Sequence, residues 1–334
     1  MNLDQVLDDQ LRKTLVQKLH QHVDKLPNKI RERIRDYILA TQGKMLRPLL
    51  VVATAKLLGA TEEQLETSYI SGVVVELLHN FSLIHDDVID GAPIRRGHDS
   101  YHIQHGQDLA IHDGDILHSF ALSFIKNDKS LRLMLDISNQ TGIGNAVELE
   151  DRIDQVFDFS KDHVIRILQL KTAMVFYGCI ALAGIACGKE KITEGLKEII
   201  TDGGIAFQIQ DDLLDFLGES EKFGKQSFWD IQESKRNLFL YYALQTEHKD
   251  KLIEIYKKAV GKKTEEDIKF VVDIFKTSHV KDKVIEDRDN FLETCLNRLD
   301  SKIEEVEKDK DQMQLINLYN FMRELIIYLC TREK

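Results

Sequence analysis

The sequence predicts an all-α protein folded as one domain over residues 1–334, and three observations carry that prediction. Apolar residues recur at helical spacing through most of the chain. Only Pro27, Pro48 and Pro93 interrupt it, with no Gly/Ser-rich or Pro-rich linker between segments. Alternating, β-rich stretches are scarce.

Residues 3–26 alternate apolar and charged positions as an amphipathic helix does, and Pro27-Asn28 closes it before the next begins near Lys29. Thr41-Gln-Gly-Lys44-Met-Leu-Arg47-Pro48 sets a cation on each side of a short apolar pair, with Pro48 at a helix start. Thr61-Glu-Glu-Gln64 is a capping-box pattern. The helix it opens runs to Asp90, about thirty residues and ~45 Å long at 1.5 Å per residue. Its residues are apolar nearly all round, from Tyr69-Ile70 through Val73-Val74-Val75 to Leu83-Ile84, so it is expected to be buried on every side. Gly91 and Pro93 end it. The histidines that follow, His98, His102, His105, His112 and His118, match no zinc spacing and read as ordinary polar positions. Residues 126–130 read as a loop, and Thr141–Val147 as the lead into a helix whose Glu148, Glu150, Asp151 and Asp154 make a solvated acidic face. Lys171-Thr172-Ala173 opens the most apolar segment, Met174–Gly188, which is too short and glycine-interrupted for a bilayer span of ~20 residues. Gly224–Lys235 reads as a polar flap. From Thr264 onward the pattern is that of bundle helices, with 302–312 an exposed charged stretch.

Chemistry concentrates where two apolar helical runs end in carboxylates. Asp86 and Asp90 stand four residues apart on one helical face with Asp87 beside them, and Asp211, Asp212 and Asp215 repeat the arrangement. Like charges at that spacing repel, and a helix C-terminus already carries partial negative charge. A hard, oxygen-liganded cation beside substrate phosphates would offset both penalties. One such motif in a chain this acidic would read as a solvated helix end. Two copies, each following an apolar run and followed by Arg95-Arg96 or by Lys222, Lys225, Lys235 and Arg236, fit a metal-bridged diphosphate. Lys44 and Arg47 together suit a further phosphate, although surface charges at a turn would look the same.

Formal charge is −11, which disfavours generic nucleic-acid binding. Four cysteines without a C-x-x-C spacing suggest reduced, buried thiols in a cytoplasmic protein. The first residues show no basic start leading into an apolar run, so neither a signal peptide nor an integral membrane protein is expected.

In order along the chain, Gly43-Lys44-x-x-Arg47-Pro48, His79 before Asp86-Asp87-x-x-Asp90, Arg95-Arg96-Gly97 with His102, Gly114-Asp115, Lys171-Thr172, and Phe207-Gln208 before Asp211-Asp212-x-x-Asp215 resemble the trans-prenyltransferases, the isoprenyl diphosphate synthases. The likeness, of the archaeal geranylgeranyl type, covers residues 43–237. It implies a single large helical bundle of the isoprenoid synthase type around a deep central pocket, usually as a homodimer. It also implies condensation of isopentenyl diphosphate with allylic diphosphates, head to tail, by Mg²⁺-assisted ionisation. Carried over by resemblance, Asp86, Asp90 and Asp211, assisted by Asp87 and Asp215, hold about three Mg²⁺ ions, for which Mn²⁺ substitutes. Asp212 and Lys171 complete the catalytic set. Arg95, Lys171, Lys225 and Lys235 hold the allylic diphosphate, with Thr172 and Gln208 near the reacting carbons. Lys44, Arg47, His79 and Arg96 bind isopentenyl diphosphate.

Product length is a matter of pocket depth. Ser82, Leu78 and Val75 share the Asp86 face to within about 80° at 100° per residue, while Phe81 lies to one side. The resemblance makes Phe81, five positions before the first aspartate, a floor, with small Ser82 beside it and Leu78 deeper, and suggests a C20 product; farnesyl (C15) or C25 and longer products are the alternatives. A class I terpene cyclase would lack the second aspartate motif and the Lys44/Arg47 site, and a non-catalytic subunit would have eroded motifs. The chain departs from the family pattern at Asp99-Ser100, at Asn145, and at Phe228 and Ser234, where glycine is usual.

Overall fold

The computed structural model describes residues 9–41, 43–216, 228–277, 279–307 and 313–332. Among them the chain is helical apart from one two-residue hairpin and short connections. Contacts divide it into two compact units. The first comprises Met1–Ile137, Phe176–Glu198 and Asn297–Leu325; the second comprises Ser138–Val175, Ile199–Leu296 and Ile326–Lys334.

In the first unit, α1 (Asp9–Val23), α2 (Asn28–Ala40) and α3 (Leu46–Leu57) lead to α4 (Glu62–Ile89), followed by strands β1 (Ile94–Arg95) and β2 (His98–Asp99) and helices α5 (Tyr101–His105) and α6 (Gln107–Leu122). The expected capping box opens α4: Gln64 N–H donates to Thr61 Oγ1 at 3.3 Å, and Thr61 N–H donates to Gln64 Oε1 at 2.9 Å. Its 28 residues pack against α1, α3 and α6, with Val73, Val74, Val75, Leu77 and Ile84 buried. Gly72 allows this approach, since a Cβ there would lie 3.1 Å from both the Pro48 carbonyl oxygen and Leu15. A Schellman motif closes α4. Gly91 takes φ +61°, its N–H donates to Val88 O at 3.4 Å, and Ala92 N–H donates to Asp87 O at 3.0 Å. The hairpin was not expected; Arg96 and Gly97, both at positive φ, form its two-residue turn, which matches strand twist. A buried polar node braces this unit: Arg33 donates to both Asp113 oxygens at 2.7 and 2.9 Å, and Tyr101 Oη donates to Asp113 at 2.5 Å.

The long helix α7 (Asp128–Ile153) contains Thr141–Val147, which the sequence pattern had placed ahead of a helix. A continuous helical run then follows as α8 (Lys161–Leu168), a π-helical turn (Gln169–Ala173) and α9 (Met174–Cys187). This run is long and apolar enough to cross a membrane by length and composition, and 78% of its most apolar window is buried within the fold. The remaining helices are α10 (Glu190–Glu194), α11 (Lys197–Phe216), α12 (Trp229–Gln232), α13 (Leu238–Ala243), α14 (Lys249–Tyr256), α15 (Glu265–Thr277), α16 (Val280–Glu307) and α17 (Met313–Thr331). The second unit's core gathers apolar residues of α8, α11 and α13–α15, including stacked Phe239 and Phe275, 5.1 Å between ring centroids. Each fully buried phenylalanine contributes roughly 1.5–3 kcal/mol. All four cysteines are buried. The acidic face assigned to α7 is only half solvated: Glu150 and Asp154 are exposed, whereas Glu148 pairs with Lys171, and Asp151 meets His163 at 2.6 Å.

Candidate active site

In the first unit the end of α4 sorts its three carboxylates by direction. Asp86 and Asp90, one helical turn apart, remain half-buried. Asp87 turns away and is 0% exposed. Arg95 Nε donates to both Asp87 oxygens at 2.9 and 3.2 Å, and its Nη2 makes a further close contact. Burial pushes the Asp87 carboxyl up, against the pull of the Arg95 bonds.

The hairpin turn sends Arg96 elsewhere. Its Nη1 donates to the Thr41 carbonyl, and its guanidinium lies against Gly43, where a Cβ would sit 2.8–2.9 Å from three guanidinium atoms. The glycine beside Lys44 therefore makes room for an arginine 53 residues further on. Arg47 Nη1 lies 3.4 Å from His79 Nε2 and its guanidinium is 5.5 Å from the Phe176 ring. Burial, then Arg47, Arg96 and Arg95, hold the His79 pKa well below the usual histidine value. The ring is thus neutral and accepts from Arg47. Burial pushes up the carboxyl of Glu76, enclosed on α4, against the pull of Arg47 and Arg96 nearby. Its role was not read from the sequence, because a glutamate inside an apolar run carries no periodic signal. Lys44 is exposed on the loop before α3.

The residues assigned to product length occupy the preceding turns of α4. Leu78 is buried, Ser82 Oγ donates to the His79 carbonyl at 2.9 Å, and half-buried Phe81 packs against two imidazoles, His85 at 4.7 Å and His118 of α6 at 4.8 Å between ring centroids. The His85 ring reaches the Ile111 carbonyl at 3.1 Å by crossing Gly114, where a Cβ would stand 2.3 Å from its Nε2. This explains the glycine of Gly114-Asp115. The contact of Phe81 with His118 was missed because His118 lies 37 residues away in a run of unremarkable histidines.

The second unit repeats the sorting. On α11, Asp211 is 37% exposed at its side chain, Asp215 is half-buried, and Asp212 is 6% exposed. Lys235 Nζ bridges Asp212 Oδ1 and Asp230 Oδ2, each at 3.1 Å. Burial opposes the Lys235 charge, yet Asp212, Asp230 and Glu148 hold its pKa well above the ordinary lysine value. Gln208 Nε2 donates to Asp212 at 3.2 Å and Gln208 Oε1 accepts from Thr172 Oγ1 at 2.8 Å, so Thr172, Gln208, Asp212, Lys235 and Asp230 form one chain of bonds. Thr172 and Lys171 project from the π-helical turn, a local irregularity frequent at functional sites. Gly204 of α11 approaches Ala173 of that turn so closely that a Cβ would lie 2.7 Å from its Cα. Lys171 Nζ pairs with Glu148. Asp211 pairs with Arg332, whose guanidinium also lies 4.9 Å from the Phe207 ring. Lys225 lies outside the described residues.

The donor set suits Mg²⁺. Each motif offers two carboxylates on one helical face, and Mg²⁺ takes one or two carboxylates plus phosphate and water rather than a closed protein cage. No group of three or more metal-ligating side chains converges among the described residues.

The sequence pattern described as polyprenyl synthetase matches residues 28–275. A short chain isoprenyl diphosphate synthase of Methanocaldococcus jannaschii is 32% identical over 291 residues, covering 83% of both chains. A geranylgeranyl diphosphate synthase of Sulfolobus acidocaldarius is 31% identical, over 72% of this chain and 75% of its own. Among solved structures, a Corynebacterium glutamicum geranylgeranyl pyrophosphate synthase complexed with isoprenyl diphosphate and magnesium superposes with a TM-score of 0.82 at 22% identity, covering 99% of this chain and 100% of its own.

Proposed function

The chain belongs to the polyprenyl synthetase family, and from that premise we propose that it condenses isopentenyl diphosphate head to tail with allylic diphosphates, acting as a single synthase domain. The observation that carries this reading is a local design present twice: flanking aspartates one helical turn apart, with the central aspartate buried against a cation. Asp86 and Asp90 stand beside Asp87 and Arg95; Asp211 and Asp215 stand beside Asp212 and Lys235.

The reaction breaks an allylic carbon–oxygen bond to give a carbocation and a diphosphate leaving group. Asp86, Asp90 and Asp211, assisted by Asp215, would hold Mg²⁺, which when bound neutralises that leaving charge; Asp87, expected from the resemblance to assist, instead gives both its oxygens to Arg95. Arg95, Lys171 and Lys235 act on the same charge as fixed cations that need no reorganisation when the bond breaks. Their carboxylate partners Asp87, Glu148, Asp212 and Asp230 keep them charged and aimed while the site is empty of substrate. Lys44, Arg47, Arg96 and neutral His79 hold isopentenyl diphosphate, whose double bond attacks the cation, after which a proton passes to the departed diphosphate. Thr172 and Gln208, bonded to each other, are assigned to the neighbourhood of the reacting carbons.

Phe81, backed by His118 and His85, serves as the floor that stops growth at C20, with Ser82 and Leu78 on the wall. Ile103, Leu109, Ile116 and Leu135 are exposed on the first unit, which supports a homodimer covering them. Buried thiols support a cytoplasmic enzyme.

The test is incubation of the purified protein with Mg²⁺, isopentenyl diphosphate and each of dimethylallyl, geranyl and farnesyl diphosphate, with products dephosphorylated and sized. A dominant C20 alcohol is expected. C15 or C25 and longer products would keep the chemistry and reject the floor, and no elongation from any primer would overturn the reading.

A further inference from the structure

The short helix α12 ends in an arrangement normally reserved for glycine. Ser234 has φ +64°, its N–H donates to the Ile231 carbonyl at 3.1 Å, and Lys235 N–H donates to the Asp230 carbonyl at 2.9 Å. This is a Schellman closure with a serine in the left-handed position, where a Cβ is sterically unfavourable. Phe228, at the other end of α12, has φ +60°. Both stand where the family that the sequence resembles usually has glycine.

A buried lysine from 29 residues further along holds the serine. Lys263 is 5% exposed. Its Nζ donates to Ser234 Oγ at 2.6 Å, to the Gln232 carbonyl at 2.8 Å and to the Lys258 carbonyl at 3.3 Å. Ser234 Oγ in turn donates to the Tyr256 carbonyl at 3.0 Å, and Gln232 Nε2 donates to the Lys263 carbonyl at 3.0 Å. From the other side, buried Arg236 donates to the Ser234 carbonyl and, through Nε, to the Val156 carbonyl at 3.3 Å. Burying this ammonium is unfavourable: burial first, then Arg236, pull its pKa down to about 8, with Asp267 opposing. The three bonds its Nζ donates offset part of that penalty.

The residue immediately after the serine is Lys235, the cation that bridges Asp212 and Asp230. We propose that Lys263 is a positioning residue: by holding the Ser234 hydroxyl and the Gln232 carbonyl it keeps a serine in the left-handed turn and so aims Lys235 at the site. The proposal rests on the reading that Lys235 binds the allylic diphosphate. Ser234 and Lys263 then form one device, in which the hydroxyl compensates for the absence of glycine and the lysine secures the hydroxyl.

The experiment is a double-mutant cycle between Lys263→Met and Ser234→Gly, read as KM for the allylic diphosphate, KM for isopentenyl diphosphate, kcat, and hydrogen exchange of the Lys235 amide. Lys263→Met removes a charge-assisted bond and is expected to raise the allylic KM about tenfold while leaving the isopentenyl KM unchanged. Ser234→Gly, which needs no hydroxyl to hold the turn, is expected to match wild type and, combined with Lys263→Met, to restore the allylic KM to within about threefold. Additive effects, or equal rises in both KM values, would overturn the proposal. Should Lys263→Met fail to fold, Ser234→Ala carries the test: it keeps the Cβ and loses the hydroxyl, so its allylic KM rises where that of Ser234→Gly does not, and identical behaviour overturns the proposal. Lys235→Ala separates the two readings. If it leaves the allylic KM unchanged, the diphosphate assignment fails. Exchange at the Lys235 amide then decides the positioning claim, which predicts about tenfold faster exchange in the failing Lys263 or Ser234 variant and is overturned by unchanged protection.

Discussion

Replacing Asp87 by asparagine removes one negative charge from a fully buried position and leaves the Arg95 guanidinium, 15% exposed, without its counterion. The side-chain shape is preserved, so no cavity forms, and the main-chain bond from Ala92 N–H to Asp87 O remains available. What is lost is charge pairing through Nε, at 2.9 and 3.2 Å, and through Nη2. Breaking a buried pair by removing one partner costs about 3–5 kcal/mol, because the remaining charge is stranded away from water. For a chain of 334 residues about 1.4 °C of Tm accompanies each kcal/mol, so the melting point should fall by roughly 4–7 °C. Thermal unfolding followed by circular dichroism measures this directly. A companion variant, Asp87→Leu with Arg95→Met, removes both charges and should recover most of the lost stability, since buried pairs exchanged for apolar residues are often neutral. It should not recover activity, because the cation assigned to the diphosphate is gone. A melting point for Asp87→Asn within 2 °C of wild type would refute the pairing as the reason for this carboxylate's burial.

Asp86→Ala should lower kcat by at least about 10²-fold in Mg²⁺ with an unchanged circular dichroism spectrum, and retained turnover would remove Asp86 from the metal set. Phe81→Ala and His118→Ala should each shift the product distribution to longer chains, measured by chromatography of dephosphorylated products; an unchanged distribution in both would move the floor elsewhere. The His79 imidazole is held neutral, with a folded pKa below the unfolded value of about 6.5, so as pH falls below 6.5 the unfolded chain takes up a proton that the folded chain refuses. Stability present above pH 6.5 is therefore lost toward acid, and the Tm of His79→Gln relative to wild type should rise between pH 7.5 and pH 5; a constant gap would show that His79 does not titrate this way.

Much of this was legible because it is local. The Thr61 capping box, the apolar run of α4 and Gly91 after its last turn determine a helix and both its ends within a few residues of chain, and the spacing of Asp86 with Asp90 and of Asp211 with Asp215 puts each pair on one helical face. That Phe228 and Ser234 stand where the resembled family usually has glycine was legible; that both residues adopt positive φ was not. What each aspartate does was not legible. Neighbouring carboxylates such as Asp86 and Asp87 are about 100° apart around a helix, and which one is buried depends on what packs there. Arg95 reaches Asp87 only because the chain turns back where α4 closes at Gly91-Ala92, and Glu148, which reads as part of a solvated face, meets Lys171 only because α7 passes the π-helical turn. Periodicity reports the face a residue occupies and is blind to the partner on the facing element. The sequence by itself determined the helices, their ends and the two carboxylate pairs, through short-range sterics and hydrogen bonding; the tertiary structure alone decided which charges are buried, which cation holds each, and that a lysine at 263 secures a serine at 234, because those pairings exist only where distant segments are brought within bonding distance.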